Sequence, residues 1–153
     1  LEHPITMKLS EKGRFEPPPT LPKLAQKVLD AVSSWPDVHA RAHWFLGDEE
    51  QIDGADFYVG EDEVGHIHLD GEAHVMFSRS VADAIVDAKA AKRLPWAAIG
   101  TVVAIKSTKD VGRALWLFRL SYDRRKGVAP SKLLERVAEL GRVEEQSSDI
   151  SEA

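Results

Sequence analysis

The sequence predicts an α+β domain, a mainly antiparallel sheet with helices packed on one face. Short β-prone segments at about 55–59, 63–69 and 73–77 follow one another with turn signals between them. Segments of helical periodicity stand before and after this run, which segregates helices from a hairpin sheet. A chain of 153 residues suits a single domain with one core, spanning about 20–141.

The elements follow in order. Residues 1–19, with PPP at 17–19, predict a flexible extended leader. Thr20 is placed to cap a helix with Pro22 in its first turn; Leu21, Leu24, Val28, Ala31 and Val32 form its apolar face, and Trp35-Pro36 ends it. Val38 to Leu46 reads as a strand, and Gly47-Asp48 opens a polar loop through Gly54. After the three short strands, Ser80 is set to cap a second helix with Asp83 at its third position and Val81, Ala84, Ile85 and Ala88 buried. Ile99 to Ile105 is β-branched and suits an inner strand. Ser107 and Asp110 form a capping box for VGRALWLFRLSY, where Val111, Leu115, Phe118 and Tyr122 share a face widened by Ala114, Leu117 and Ser121. A last helix at about 131–140 carries Leu133, Leu134, Val137 and Leu140; Gly141 stops it, and 142–153 form an acidic flexible tail.

Composition narrows the function classes. Hydrophobic residues at 43% and charged residues at 29% are those of a folded globular chain. Without cysteine there are no disulfides, thiolate metal ligands or cysteine nucleophiles, and a reducing cytoplasm is the expected location. A net charge of −5 argues against nucleic acid, and DRRKG at 123–127 reads as a charged helix end. No apolar run is long enough for a bilayer, and a secretory signal pattern is missing, so no membrane partner is expected. Phosphate loops, dinucleotide fingerprints, nucleophile elbows and helical zinc-protease motifs are absent. A homodimer is compatible with the helical faces.

Chemistry concentrates in GHIHLDGEAH, residues 65–74. Strand alternation puts His66 and His68 on one face and Ile67 and Leu69 on the other. A two-residue Asp70-Gly71 loop would set Leu69 against Glu72 and mix polar with apolar residues. A three-residue loop sets Leu69 against Ala73 and His68 against His74, burying Ile67, Leu69, Ala73, Val75 and Phe77 together. That register gathers His66, His68 and His74 opposite the core. Three readings stand for the cluster: structural polar residues, a metal-free pocket in which imidazole serves as base, or a site for Zn, Fe, Ni or Cu. Asp56, Glu61, Asp62, Asp70 and Glu72 are candidates for orienting carboxylates. His39 and His43 read as local polar residues. Of the four tryptophans, Trp116 reads as packing, whereas Trp96, after Pro95, is a candidate pocket wall.

The run FYVGEDEVGHIHLDGEAHVMFSRSVADAIV, followed by GTVVAIKSTKDVGRALWLFRLSYDR, resembles the luciferase-like domain of bacterial proteins distantly similar to the fungal luciferases. The likeness covers roughly 36–125, with GHIHLDGEAH and ALWLFRLSYDR its strongest elements. His66 and His68 match the family's histidine-bearing strand, Asp70-Gly71 its turn, and Arg119, Ser121 and Tyr122 the end of its long helix. The chain departs at 93–100, where RLPWAAIG stands in place of a connection that carries a histidine in many relatives. The resemblance implies a small aromatic ligand, catalytic His66, His68 and His74, and ligand contacts from Trp96, Tyr58, Arg119 and Tyr122. It implies oxygenation of an enolisable phenol or pyrone without a cofactor, since the fungal enzymes are oxygenases of that kind. The alternatives are a non-catalytic binding domain and an enzyme with a divalent transition metal on His66, His68 and His74.

Overall fold

Strand alternation separates the apolar side chains of this chain from its imidazoles. A computed structural model describes residues 7–45 and 48–152. Its strands are β1 (Val38–Phe45), β2 (Asp48–Val59), β3 (Asp62–His68), β4 (Glu72–Met76), β5 (Lys92–Leu94) and β6 (Ala97–Ala104). They form one six-stranded sheet in the order β1-β2-β3-β4-β6-β5, every neighbouring pair antiparallel. The helices are α1 (Lys23–Ser33), α2 (Arg79–Asp87), α3 (Thr108–Arg125) and α4 (Pro130–Glu152). The expected α+β architecture is therefore present, with one face of the sheet under helices.

That face carries the core. Ala55, Phe57, Val64, Ile67, Ala73 and Val75 pack with Val28 and Val32 of α1 and with Leu117 and Phe118 of α3. Each such side chain contributes roughly 1.5–3 kcal/mol on burial. Gly65 is where α3 comes closest, because a Cβ there would lie 2.6 Å from Phe118 Cε1. Ser107 Oγ accepts from the Asp110 amide at 3.2 Å, and Asp110 accepts from the Lys106 amide at 2.9 Å, so the expected cap starts α3.

A bulge between β2 and β3 sets up the other face. Asp56 pairs with His66 and Phe57 with Gly65, but Tyr58 then pairs with Glu63, leaving Val64 as the extra residue. Val64 turns into the helical core, and its carbonyl accepts from Ser121 Oγ at 2.7 Å. The extra residue brings Glu63 and His66, three apart, to the same face, which plain alternation forbids.

The leader is bound rather than free over its described part. Tyr58 Oη donates to the Met7 carbonyl at 2.9 Å and the Leu9 amide to the Glu61 carbonyl at 3.1 Å. Farther on, Arg41 donates to the Arg14 carbonyl at 2.5 Å and the Ala42 amide to the Glu16 carbonyl at 2.8 Å. Residues 7–16 thus cross the non-helical face and turn round the β1 edge toward α1.

Several other expectations are corrected. Thr20 does not cap α1: Pro22 holds the cap position, and Gln26 reaches back to the Leu21 amide at 2.8 Å. The polar loop expected at 47–54 is the first half of β2 from Asp48 onward, paired through irregular register with His43, Trp44 and Phe45. Ser78, not Ser80, precedes the first residue of α2. RLPWAAIG is a tight hairpin between β5 and β6 rather than a plain connection. The buried stripe of α3 is centred on Ala114, Leu117, Phe118 and Ser121, with Val111 and Leu115 at its margin. Helix α4 runs through Gly141 to Glu152, because one glycine costs only about 1 kcal/mol in a helix.

The hairpin register also differs. His66 pairs with His74 and Ile67 with Ala73. Leu69 is thereby lifted into the turn and is 42% exposed, not buried with Ile67. Among the described residues no helix is long and apolar enough to cross a membrane.

Gly54 sits between His43 and His68 in the pairing, at φ +148°, and a Cβ there would lie 1.9 Å from the Ile67 carbonyl oxygen. Gly54→Ala is expected to lose about 3 kcal/mol or more of stability, measured by urea denaturation, since backbone must move to admit it. A loss below about 1 kcal/mol would contradict this close approach.

Candidate histidine and carboxylate site

Four imidazoles from three strands meet on the non-helical face: His43 of β1, His66 and His68 of β3, and His74 of β4. The His43 and His66 rings stack at 4.3 Å and 8°. His68 stands edge-on to both, at 5.1 and 4.9 Å. His74 lies 4.3 Å from His68 and 5.2 Å from His66. The cluster expected from sequence exists and gains His43, which had read as a local polar residue. His39, at the other end of β1, is exposed and takes no part.

Every ring has its own carboxylate. His43 Nδ1 meets Asp56 at 2.6 Å, His66 Nδ1 meets Glu63 at 3.4 Å, and His68 Nδ1 meets Asp53 at 2.8 Å. His74 is turned the other way, with Nε2 on Glu72 at 3.0 Å and Nδ1 at 3.1 Å from His68 Nε2. Asp56 and Glu72 were among the expected carboxylates. Asp53 and Glu63 were not, because one needs the β2 pairing and the other needs the bulge.

Proton counting shows what this row lacks. Asp53, His68, His74 and Glu72 are joined by three contacts, and each contact needs one hydrogen. Two neutral imidazoles supply one N–H each. One contact must stay without a hydrogen unless the row takes up a further proton or a cation.

Beneath the rings lies a buried acidic pair. Lys12 Nζ reaches Asp56 at 3.0 Å and Glu63 at 3.9 Å, all three nearly closed to solvent. Burial would raise the Asp56 pKa, but the hydrogen bond from His43 and the charges of His43 and Lys12 hold it below its ordinary value. Glu63 is pushed up to about 8 by burial and by the Asp56 charge. Burial, aided by His43, drives His66 well below the ordinary imidazole range. His74 is lowered by burial against the opposing hydrogen bond that it donates to Glu72.

The remaining expected site residues divide between the two faces. Trp96, in the β5–β6 turn, is 70% exposed and its ring lies 5.9 Å from His74, so it joins the site. Tyr58 is on the same face but buried, its hydroxyl committed to the Met7 carbonyl and its pKa raised by burial. Tyr122 and Arg119 are on the helical side: the Tyr122 hydroxyl donates to the Pro36 carbonyl at 2.8 Å, its ring packs 5.1 Å from Trp35, and Arg119 lies 5.0 Å over both rings. The sheet separates them from the histidines.

Among the described residues, two groups of donors are close enough for one ion, with one atom per residue lying within 4.8 Å of the others: His43, His66 and His68, and separately Asp56, Glu63 and His66. His74, expected with His66 and His68 in the metal-binding alternative, belongs to neither group.

An antiparallel sheet with helices on one side and a carboxylate-backed cluster of imidazoles on the other defines an α+β domain with a polar, histidine-lined face. Residues 61–121 match the family model of the luciferase domain. No curated protein and no solved structure matches the chain.

Lys12→Met would leave Asp56 and Glu63 buried without their cation. The expected cost is about 3–5 kcal/mol, measured by urea denaturation at neutral pH. A change within about 0.5 kcal/mol would show that this part of the leader is not anchored by the pair.

Proposed function

We propose that the histidine face of this luciferase-like domain binds a small aromatic molecule and promotes its reaction with dioxygen. The observation that carries the reading is the His74–Glu72 pair beside the exposed Trp96 indole. An indole offers a flat surface for an aromatic ring, and a base next to it is placed to act on that ring's substituents.

The substrate class is an enolisable phenol or pyrone. His74 Nδ1 takes the hydroxyl proton while Glu72 accepts from Nε2–H and steadies the resulting imidazolium. A carbon of the enolate donates an electron pair, forming a C–O bond to dioxygen and reducing it to the peroxide level. The proton then returns to the terminal oxygen, so that substrate and dioxygen become a hydroperoxide with nothing left over. The imidazolium formed on His74 stabilises the anionic oxygen before dioxygen arrives.

A panel of hydroxypyrones and polyphenols tests this by tryptophan fluorescence and an oxygen electrode. Saturable binding with oxygen uptake is expected, and His74→Ala should slow uptake by about 10²–10⁴-fold while the thermal unfolding midpoint stays nearly unchanged. Binding without uptake would assign a non-catalytic binding domain, and full activity in His74→Ala would remove this histidine from the chemistry.

A further inference from the structure

We infer that His43, His66 and His68 form a site for one divalent first-row transition-metal ion. The inference deepens the reading of this face as a reactive centre by naming its cofactor class.

Orientation is the first argument. The three rings come from two strands, and all three turn Nδ1 toward a carboxylate, on Asp56, Glu63 and Asp53. Metal-binding imidazoles are held in this way, with one nitrogen donating to an oxygen and the other left as a lone pair. Neither His43 Nε2 nor His66 Nε2 has a protein partner among the described residues. A merely solvated group of histidines has no need for three independent orienting acids.

Distance is the second. One donor atom from each ring lies within 4.8 Å of the others. Zn–N bonds of about 2.0–2.1 Å put neighbouring nitrogens of a tetrahedral site roughly 3.4 Å apart, so nitrogens within 4.8 Å of one another need to close by at most about 1.4 Å. His43 and His68 keep some solvent exposure, so closing the rings does not require displacing a packed core.

The row Asp53, His68, His74 and Glu72 is also one hydrogen short when both imidazoles are neutral. An ion on His68 Nε2 makes a proton there unnecessary. The alternative group of Asp56, Glu63 and His66 is already served by the Lys12 ammonium, 3.0 Å from Asp56. Nitrogen-only donors suit Zn, Fe, Co, Ni or Cu and disfavour Ca and Mg.

The test uses full-length protein without a histidine tag, stripped by chelator, reloaded separately with each of these metals and analysed by elemental mass spectrometry after desalting. About one equivalent of at least one metal is expected in the parent and in His39→Ala, with at least a tenfold loss of affinity in His43→Ala and His66→Ala. The parent loaded with cobalt(II) gives a second readout that does not depend on the folding of any variant. It should show tetrahedral-type visible absorption and, by proton NMR, exchangeable hyperfine-shifted Nδ1–H signals from three imidazoles. No retained metal in the parent, equal retention in His43→Ala and His39→Ala, or cobalt signals from fewer than three imidazoles would overturn the site. Both readouts are made without substrate, so their failure is separate from that of the oxygenation reading, which the oxygen electrode decides.

Discussion

The Asp56 carboxylate is the constraint around which the non-helical face is arranged. It is fully buried in the middle of the sheet, where an unpaired charge would cost several kcal/mol. His43 from β1 and Lys12 from the leader meet it, and His66 stands opposite it on β3. Satisfying this one group fixes the orientation of the His43 ring, draws the leader across the sheet and brings Glu63 under the same ammonium. The imidazoles above it inherit their geometry from this buried charge.

The two faces are connected through the bulge. Ser121 of α3 holds the carbonyl of Val64, the residue whose insertion turns Glu63 toward His66. Phe118 occupies the space that Gly65 leaves. Packing on the helical side therefore sets the position of an acid on the other side. The stretch that matches the luciferase domain contains His66, His68, His74, Glu63 and these α3 supports. His43, Asp53, Asp56 and Lys12 precede it, so two of the four carboxylates, the Lys12 cation and one imidazole come from β2, the leader and β1.

Much of this was legible from residue patterns, and the hairpin shows why even a wrong register preserved the main conclusion. The expected pairing of Leu69 with Ala73 and the observed pairing of Ile67 with Ala73 differ by two residues. A shift of two leaves every side chain on its own face, whereas a shift of one reverses them all. His66, His68 and His74 were therefore grouped correctly while Leu69 was wrongly buried. His43 escaped notice because its membership depends on two successive pairings, through Gly54 to His68. The β2 segment before Gly54 is polar and irregularly paired, so it gives no alternating signal. Glu63 was hidden by a bulge whose cause lies in α3, far along the chain. The capping box of α3 was readable because its donors and acceptors are only a few residues apart.

The path of the leader round β1 has a consequence for how copies of this chain behave toward one another. A sheet ends in rows of unpaired amides and carbonyls, and such rows recruit strands from other molecules into fibrillar or swapped assemblies. Here the Glu16 carbonyl occupies the outward amide of Ala42, and the Arg14 carbonyl is tied down alongside. The opposite border is β5, three residues long and bearing Lys92 and Arg93. The leader occupies one border at Ala42 and the other border is short and cationic, which reduces the template a neighbour could extend.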